Sequence, residues 1–94
     1  MAVYLITWDL NKQKPNYNQA RQYLVEHLTQ YEHIKDPGLD SVWFINSTAS
    51  ADTLDAEIRK RLDTNDRLIV TKLVRGQHQG WLAQNTWNWI NARL

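Results

Sequence analysis

Short runs of apolar and β-branched residues recur along this chain and predict four β-strands. The first run covers residues 2–8, and the clearest later ones cover residues 42–45 and residues 67–73. A shorter run at residues 33–35 predicts a further strand, which ends at a turn built from aspartate, proline and glycine. Runs of this length, rich in valine, isoleucine and aromatic residues, are typical of strands in a small domain.

Helical periodicity occupies the segments between those strands. From residue 17 to about residue 31, apolar side chains recur every three or four positions, as on one face of a helix. Leu54, Ile58 and Leu62 form a second stripe at i, i+4 and i+8. Residues 81–94 are the third helical segment, and they carry three of the five tryptophans of the chain.

The order of elements is therefore β-α-β-β-α-β followed by a helix. This order predicts an α+β, ferredoxin-like domain, in which two helices cover one face of a four-stranded antiparallel sheet. We predict a single domain over residues 1–94, with residues 81–94 as an extra C-terminal helix. The strands are apolar on both faces, whereas a half-exposed antiparallel sheet is normally polar on its outer face. The C-terminal helix, a second copy of the chain, or both must cover the second face.

Composition excludes several classes of chemistry. The chain has 94 residues, no cysteine and three glycines, which leaves no disulfide, no thiolate metal site and no glycine-rich phosphate loop. No apolar run approaches the roughly 20 residues that a membrane span needs, and no basic signal region opens the chain. We expect a cytoplasmic protein without membrane contact.

The sharpest candidate for chemistry is Asp9, which directly follows the first strand. A carboxylate at the end of a buried strand lies at the rim of the sheet, where it can bind a hard cation such as Mg²⁺. The structural alternative is a turn residue that accepts hydrogen bonds from the backbone N–H groups of Asn11 or Lys12. Asp63 and Asp66 also carry carboxylates, but their sequence context is ordinary turn chemistry.

Basic residues offer candidate contacts for phosphate, although the net charge is only +1. The four candidates that would neutralise a nucleic-acid backbone are Lys12, Lys14, Arg59 and Arg75. An ordinary mixed surface is the alternative for each of them. His27 lies on the apolar stripe of the first helix and is predicted to be a packed core histidine.

Three sequence features together resemble known families. The chain opens with a strand that ends in Asp9, and it carries Ser41-Val42-Trp43-Phe44-Ile45 and Asn65-Asp66-Arg67-Leu68-Ile69-Val70. Over roughly residues 1–75, this pattern resembles the small CRISPR-associated ferredoxin-like endoribonucleases and the virulence-associated protein D toxins. The resemblance implies a homodimer in which Asp9 of each copy faces its partner. It also implies either metal-dependent cleavage of nucleic acid or a noncatalytic scaffold that holds DNA.

Two hypotheses for function follow. The first is a metal-dependent endonuclease or nucleic-acid-holding homodimer that acts on RNA or DNA, with Asp9 as the catalytic and metal-binding residue and Mg²⁺ or Mn²⁺ as cofactor. The alternative is a noncatalytic dimeric adaptor that binds protein through the open sheet or the C-terminal helix. The near-neutral charge and the tryptophan content favour this alternative.

Overall fold

The computed structural model describes all 94 residues, Met1–Leu94. The elements in chain order are β1 (Ala2–Asp9), α1 (Tyr17–Leu28), β2 (Glu32–Ile34), β3 (Val42–Ser47), α2 (Ala51–Arg59), β4 (Arg67–Lys72) and α3 (Gln84–Arg93). This order confirms the predicted α+β class with an extra C-terminal helix. The last helix is shorter than predicted, because residues 81–83 form no regular structure. None of the helices has the length and apolarity that crossing a bilayer requires.

The strands form one antiparallel sheet in the order β2-β3-β1-β4. This is the strand order expected for a ferredoxin-like fold, with β1 and β3 in the centre. The register pairs Asp9 with Arg67 and Thr7 with Val42. The carboxyl end of β1 therefore lies between the starts of β3 and β4, and this rim of the sheet carries the candidate site.

One face of the sheet packs against α1 and α2. Ile6 of β1, Leu24 of α1 and Ile58 of α2 are fully buried in the same cluster. Helix α2 begins where the side chain of Ser50 accepts a hydrogen bond from the N–H of Thr53 at 3.1 Å. Ser50 therefore satisfies one of the backbone donors that every helix start leaves free.

The other face of the sheet is covered by α3. Val3, Phe44 and Leu73 form a second buried cluster with Ile90, which α3 contributes. The sequence predicts the C-terminal helix, a second copy of the chain, or both as the cover of this face, and the structure shows the C-terminal helix there. A homodimer that pairs bare sheet faces would require α3 to move away, so the homodimer remains a prediction from the sequence.

Helix α3 is fixed to the sheet by a carboxylate from a distant loop. Its N-cap residue, Ala83, has no side-chain acceptor. Asp36, in the loop between β2 and β3, supplies the missing acceptor. Its Oδ1 accepts hydrogen bonds from the N–H of Ala83 at 2.8 Å and from the hydroxyl of Thr86 at 2.7 Å. At the other end of α3, Arg93 donates to Glu32 of β2 at 2.6 Å.

Candidate functional site

A cleft of about 490 Å³ opens at the carboxyl end of β1, where the sequence predicts the site. It lies between the β1–α1 loop, the first turns of α1 and the segment that leads into β3. Its lining residues are Trp8, Asp9, Leu10, Lys12, Tyr17, Arg21, Asp40 and Ser41. The cleft therefore combines two carboxylates with two cations around a buried tryptophan.

The charged side chains of this cleft are free to bind a ligand. Asp9, Asp40 and Lys12 are exposed, and Arg21 is half-buried. None of the four takes part in an ion pair within the chain. Four charges of both signs, none of them held in an ion pair, therefore line one cleft, and their convergence marks it as the strongest candidate site.

The structural alternative for Asp9 fails on the position of its proposed donors. The N–H of Asn11 donates to Oδ1 of Asp66 at 2.9 Å, and the carboxylate of Asp9 receives no hydrogen bond from that loop. The β1–α1 loop is thus held by Asp66, which is 7% exposed. Asp9 contributes nothing to the turn and points its charge into the cleft and a second groove beside Arg67.

Asp66 and Asp63 have the structural role that their sequence context predicts. Lys14 donates to Asp66 at 2.9 Å and to Asp63 at 3.0 Å. Burial opposes ionisation of Asp66, but hydrogen bonds from the N–H groups of Asn11 and Asp63, together with Lys14, hold its pKa below its usual range. The ammonium of Lys14 is therefore already neutralised, although the sequence proposes it as a phosphate contact.

The four predicted phosphate contacts do not form one patch. Lys12 lines the Asp9 cleft, whereas Arg59 pairs with Asp55 at 2.7 Å on the surface of α2. Arg75 donates to the carbonyl of Leu94 at 2.6 Å. Arg75 follows β4, whose end lies at the opposite rim, about 17 Å from Asp9 at 3.3 Å per residue over the five-residue register.

Sequence reasoning missed two residues that complete the cleft, Asp40 and Arg21. Asp40 lies just before β3, and the antiparallel pairing of Thr7 with Val42 brings it to the end of β1. The predicted topology contained this signal, because the start of a neighbouring antiparallel strand must lie beside the end of β1. Arg21 had no comparable signal beyond its place in the first turns of α1.

The histidines lie outside the cleft. His27 is only half-buried, and its Nε2 lies 2.7 Å from the hydroxyl of Tyr31, which donates to Glu57 at 3.0 Å. Burial, with the nearby Arg61, lowers the pKa of His27. The predicted packed core histidine is thus only half-buried and belongs to a polar chain between α1 and α2.

The donor set of the cleft fits a hydrated hard cation. No group of three or more histidine, cysteine, aspartate or glutamate residues could hold a metal ion. Asp9 and Asp40 supply carboxylate oxygens alone, and Mg²⁺ is commonly bound by one or two carboxylates together with waters and substrate phosphates. A cation at this site would therefore need oxygen ligands from water and from a bound phosphate.

Comparison with protein-family models, curated proteins and solved structures finds no match for this chain. The resemblance to the CRISPR-associated and virulence-associated D families, and the homodimer that it implies, therefore remain predictions from the sequence.

Proposed function

We propose that the cleft beside Asp9 binds nucleic-acid phosphodiesters and hydrolyses them with the help of a divalent cation. The observation that supports this proposal is the presence of two carboxylates and two cations in one cleft, all four without an ion-pair partner. Carboxylates suit the metal, and the cations suit the phosphate that the metal would contact. Asp40 supplies a second carboxylate from the same chain, so the site does not need Asp9 of a second copy.

The roles follow from charge and position. Asp9 and Asp40 would hold Mg²⁺ or Mn²⁺, which when bound stabilises charge on the phosphate and lowers the pKa of a bound water. Lys12 and Arg21 would contact the nonbridging phosphate oxygens, where Arg21 can donate two parallel hydrogen bonds. Because Arg21 is half-buried and starts from a helix, its position is more constrained than that of Lys12.

Cleavage assays with substituted carboxylates test this proposal. We expect Asp9→Asn and Asp40→Asn each to lower the rate of cleavage of labelled RNA or DNA in Mg²⁺ or Mn²⁺ by at least about a hundredfold, the usual scale for losing a catalytic group. EDTA should abolish cleavage by the native chain. Glu26→Gln removes an exposed carboxylate of α1 outside the cleft and should leave the rate unchanged. Native rates in Asp9→Asn would contradict the mechanism.

A protein-binding adaptor is the second candidate, and one observation favours it. Trp81 is 99% exposed in the loop before α3, where it borders an apolar pocket of about 300 Å³. Fully exposed tryptophans are rare on monomers and common among the anchors of protein interfaces. If neither RNA nor DNA binds the native chain at low salt, this function replaces the phosphodiesterase, because electrostatic binding to nucleic acid is strongest there.

A further inference from the structure

A second groove lies between α1 and α2, on the face of the molecule that carries the helices. Its volume is about 380 Å³. Its lining residues are Lys14, Asn16, Gln19, Ala20, Tyr23, Lys60, Arg61, Leu62 and Asp63. We refer to it as the α1–α2 groove. It contains an aromatic side chain, and its cations outnumber its single carboxylate.

The α1–α2 groove holds unbalanced positive charge in a molecule whose net charge is only +1. Lys14 is neutralised by its two aspartates, but neither Lys60 nor Arg61 is paired with a carboxylate. The Asp9 cleft, by contrast, has two cations and two carboxylates. A polyanion is therefore attracted to the α1–α2 groove more strongly than to the cleft itself.

Arg61 lies over the ring of Tyr23 in this groove, and we refer to the pair as the Arg61–Tyr23 platform. The guanidinium of Arg61 lies 4.0 Å from the centre of the Tyr23 ring, and it donates to the carbonyl of Tyr23 at 3.0 Å. Arg61 is thus held in place by a neutral acceptor and a ring, so its charge remains available. Tyr23 is 50% exposed, although it is a large aromatic residue. Tyrosine rings and arginine planes are the groups on which unpaired bases stack.

We propose that the α1–α2 groove binds single-stranded nucleic acid, with a base stacked on the Arg61–Tyr23 platform and a phosphate at Lys60. A single strand fits better than a duplex, because stacking on a side chain requires a base that is not already stacked between its neighbours. The β1–α1 loop also joins the groove to the Asp9 cleft. Lys14 and Asn16 of this loop line the groove, whereas Lys12 of the same loop and Tyr17, the first residue of α1, line the cleft.

This inference extends the proposed function, since it names single strands as the substrate class and gives the strand a path to the cleft. It rests on the proposed function only for that path. Binding to the groove needs neither metal nor cleavage, so the groove can be tested separately.

Fluorescence anisotropy with labelled 12-residue oligonucleotides in EDTA at low salt tests the groove. The probes are oligo-U, oligo-dT and a duplex of mixed sequence, which distinguish RNA, DNA and strandedness. We expect Tyr23→Ala and Arg61→Gln each to weaken single-strand binding about tenfold, within the range for losing one stacking contact. Lys60→Gln should lower the dependence of log Kd on log salt by about 0.7, as expected for one phosphate contact on a single strand.

Arg59→Gln is the matched control. Arg59 belongs to the same basic run as Lys60 and Arg61, but it pairs with Asp55 and lies outside the groove. It should change the Kd less than twofold, and thermal unfolding should show that every variant folds. The proposal is overturned if Arg59→Gln and Arg61→Gln lose equal affinity for single strands. It is also overturned if the native chain binds no single strand or binds the duplex more tightly.

The two proposals fail separately. If the native chain binds single strands in EDTA through Arg61 but Asp9→Asn cleaves as fast as the native chain, binding at the groove is supported and the hydrolytic role of Asp9 is refuted. If cleavage depends on Asp9 while Arg61→Gln binds single strands as the native chain does, hydrolysis at the cleft is supported and binding at the groove is refuted.

Discussion

Among single residues, the most informative side chain is that of Asp66, a carboxylate that is buried in the fold. Its side chain is 1% exposed, and it receives hydrogen bonds from Asn11, Asp63 and Lys14. A buried charge is costly unless it is paired and hydrogen-bonded, and here three donors meet that requirement. Because Asp66 holds the β1–α1 loop, the carboxylate of Asp9 is not needed to stabilise that loop.

We therefore expect Asp66→Asn to lower the free energy of unfolding by about 2 kcal/mol at neutral pH, because a charged hydrogen-bond acceptor is lost. The sign of the pH dependence follows from the direction of the pKa. Since folding lowers the pKa of Asp66, its contribution is present above the unfolded pKa of about 4 and is lost as the pH falls through the folded value. Urea unfolding between pH 7 and pH 3 measures both effects.

Asp63→Asn is the control for this prediction. Asp63 shares Lys14 with Asp66, but its side chain is 55% exposed, so the pair should contribute less than about 1 kcal/mol. Asn at position 63 also keeps an oxygen that can accept the hydrogen bond from the N–H of Asn65. Equal losses in the two variants at neutral pH would show that burial of Asp66 does not determine its contribution.

At the scale of elements, α3 determines which surfaces remain available. Its cluster with Val3, Phe44 and Leu73 covers the face of the sheet that the sequence left open. Asp36 supplies the cap that Ala83 lacks, and hydrogen bonds from Thr86, then from the N–H groups of Ala83 and Gly38, hold the pKa of Asp36 below its usual range. The helix is therefore anchored to the β2–β3 loop as well as packed on the sheet.

Substitution of Ile90 measures the contribution of this cover. Ile90 is fully buried, so Ile90→Ala should lower the free energy of unfolding by about 2–4 kcal/mol through lost burial and an unfilled cavity. Trp81→Ala, at the exposed end of the preceding loop, should change it by less than about 0.5 kcal/mol. Chemical denaturation followed by circular dichroism compares the two. A loss in Ile90→Ala no larger than that in Trp81→Ala would mean that α3 is not part of the cooperative fold.

At the scale of the whole molecule, the order of elements and the position of the rim could be predicted from sequence, because both follow from local patterns. The apolar run of β1 and the stripe of Leu54 and Ile58 depend only on neighbours in the chain. The cover on the second face could not be decided, since an apolar strand face looks the same whether α3 or another chain packs on it.

Pairing between distant side chains was the other feature beyond sequence reasoning. Lys14 and Arg59 are both cations in polar segments, and nothing local shows that one bonds Asp63 and Asp66 while the other bonds Asp55. The same limit applies to Asp36, which the sequence identifies only as a turn residue and the structure shows as the cap of a helix 47 positions later. Charge becomes informative about function only after such pairs are known.

The number of copies of the chain in solution depends on how firmly α3 covers the sheet. Helix α3 and a second chain would compete for the same sheet face, and α3 has the advantage of being covalently attached. Against the homodimer predicted from the sequence, the cover supplied by α3 leads us to expect that light scattering gives the mass of one chain, 11.1 kDa, at micromolar concentration. Loosening α3 with Ile90→Ala should raise the average mass, because Val3 and Phe44 then become accessible to another copy. If the native chain instead has twice that mass while the α3 amides resist hydrogen exchange, the copies must meet elsewhere. The exposed edge of β4, with Ile69 58% accessible, is then the surface to examine.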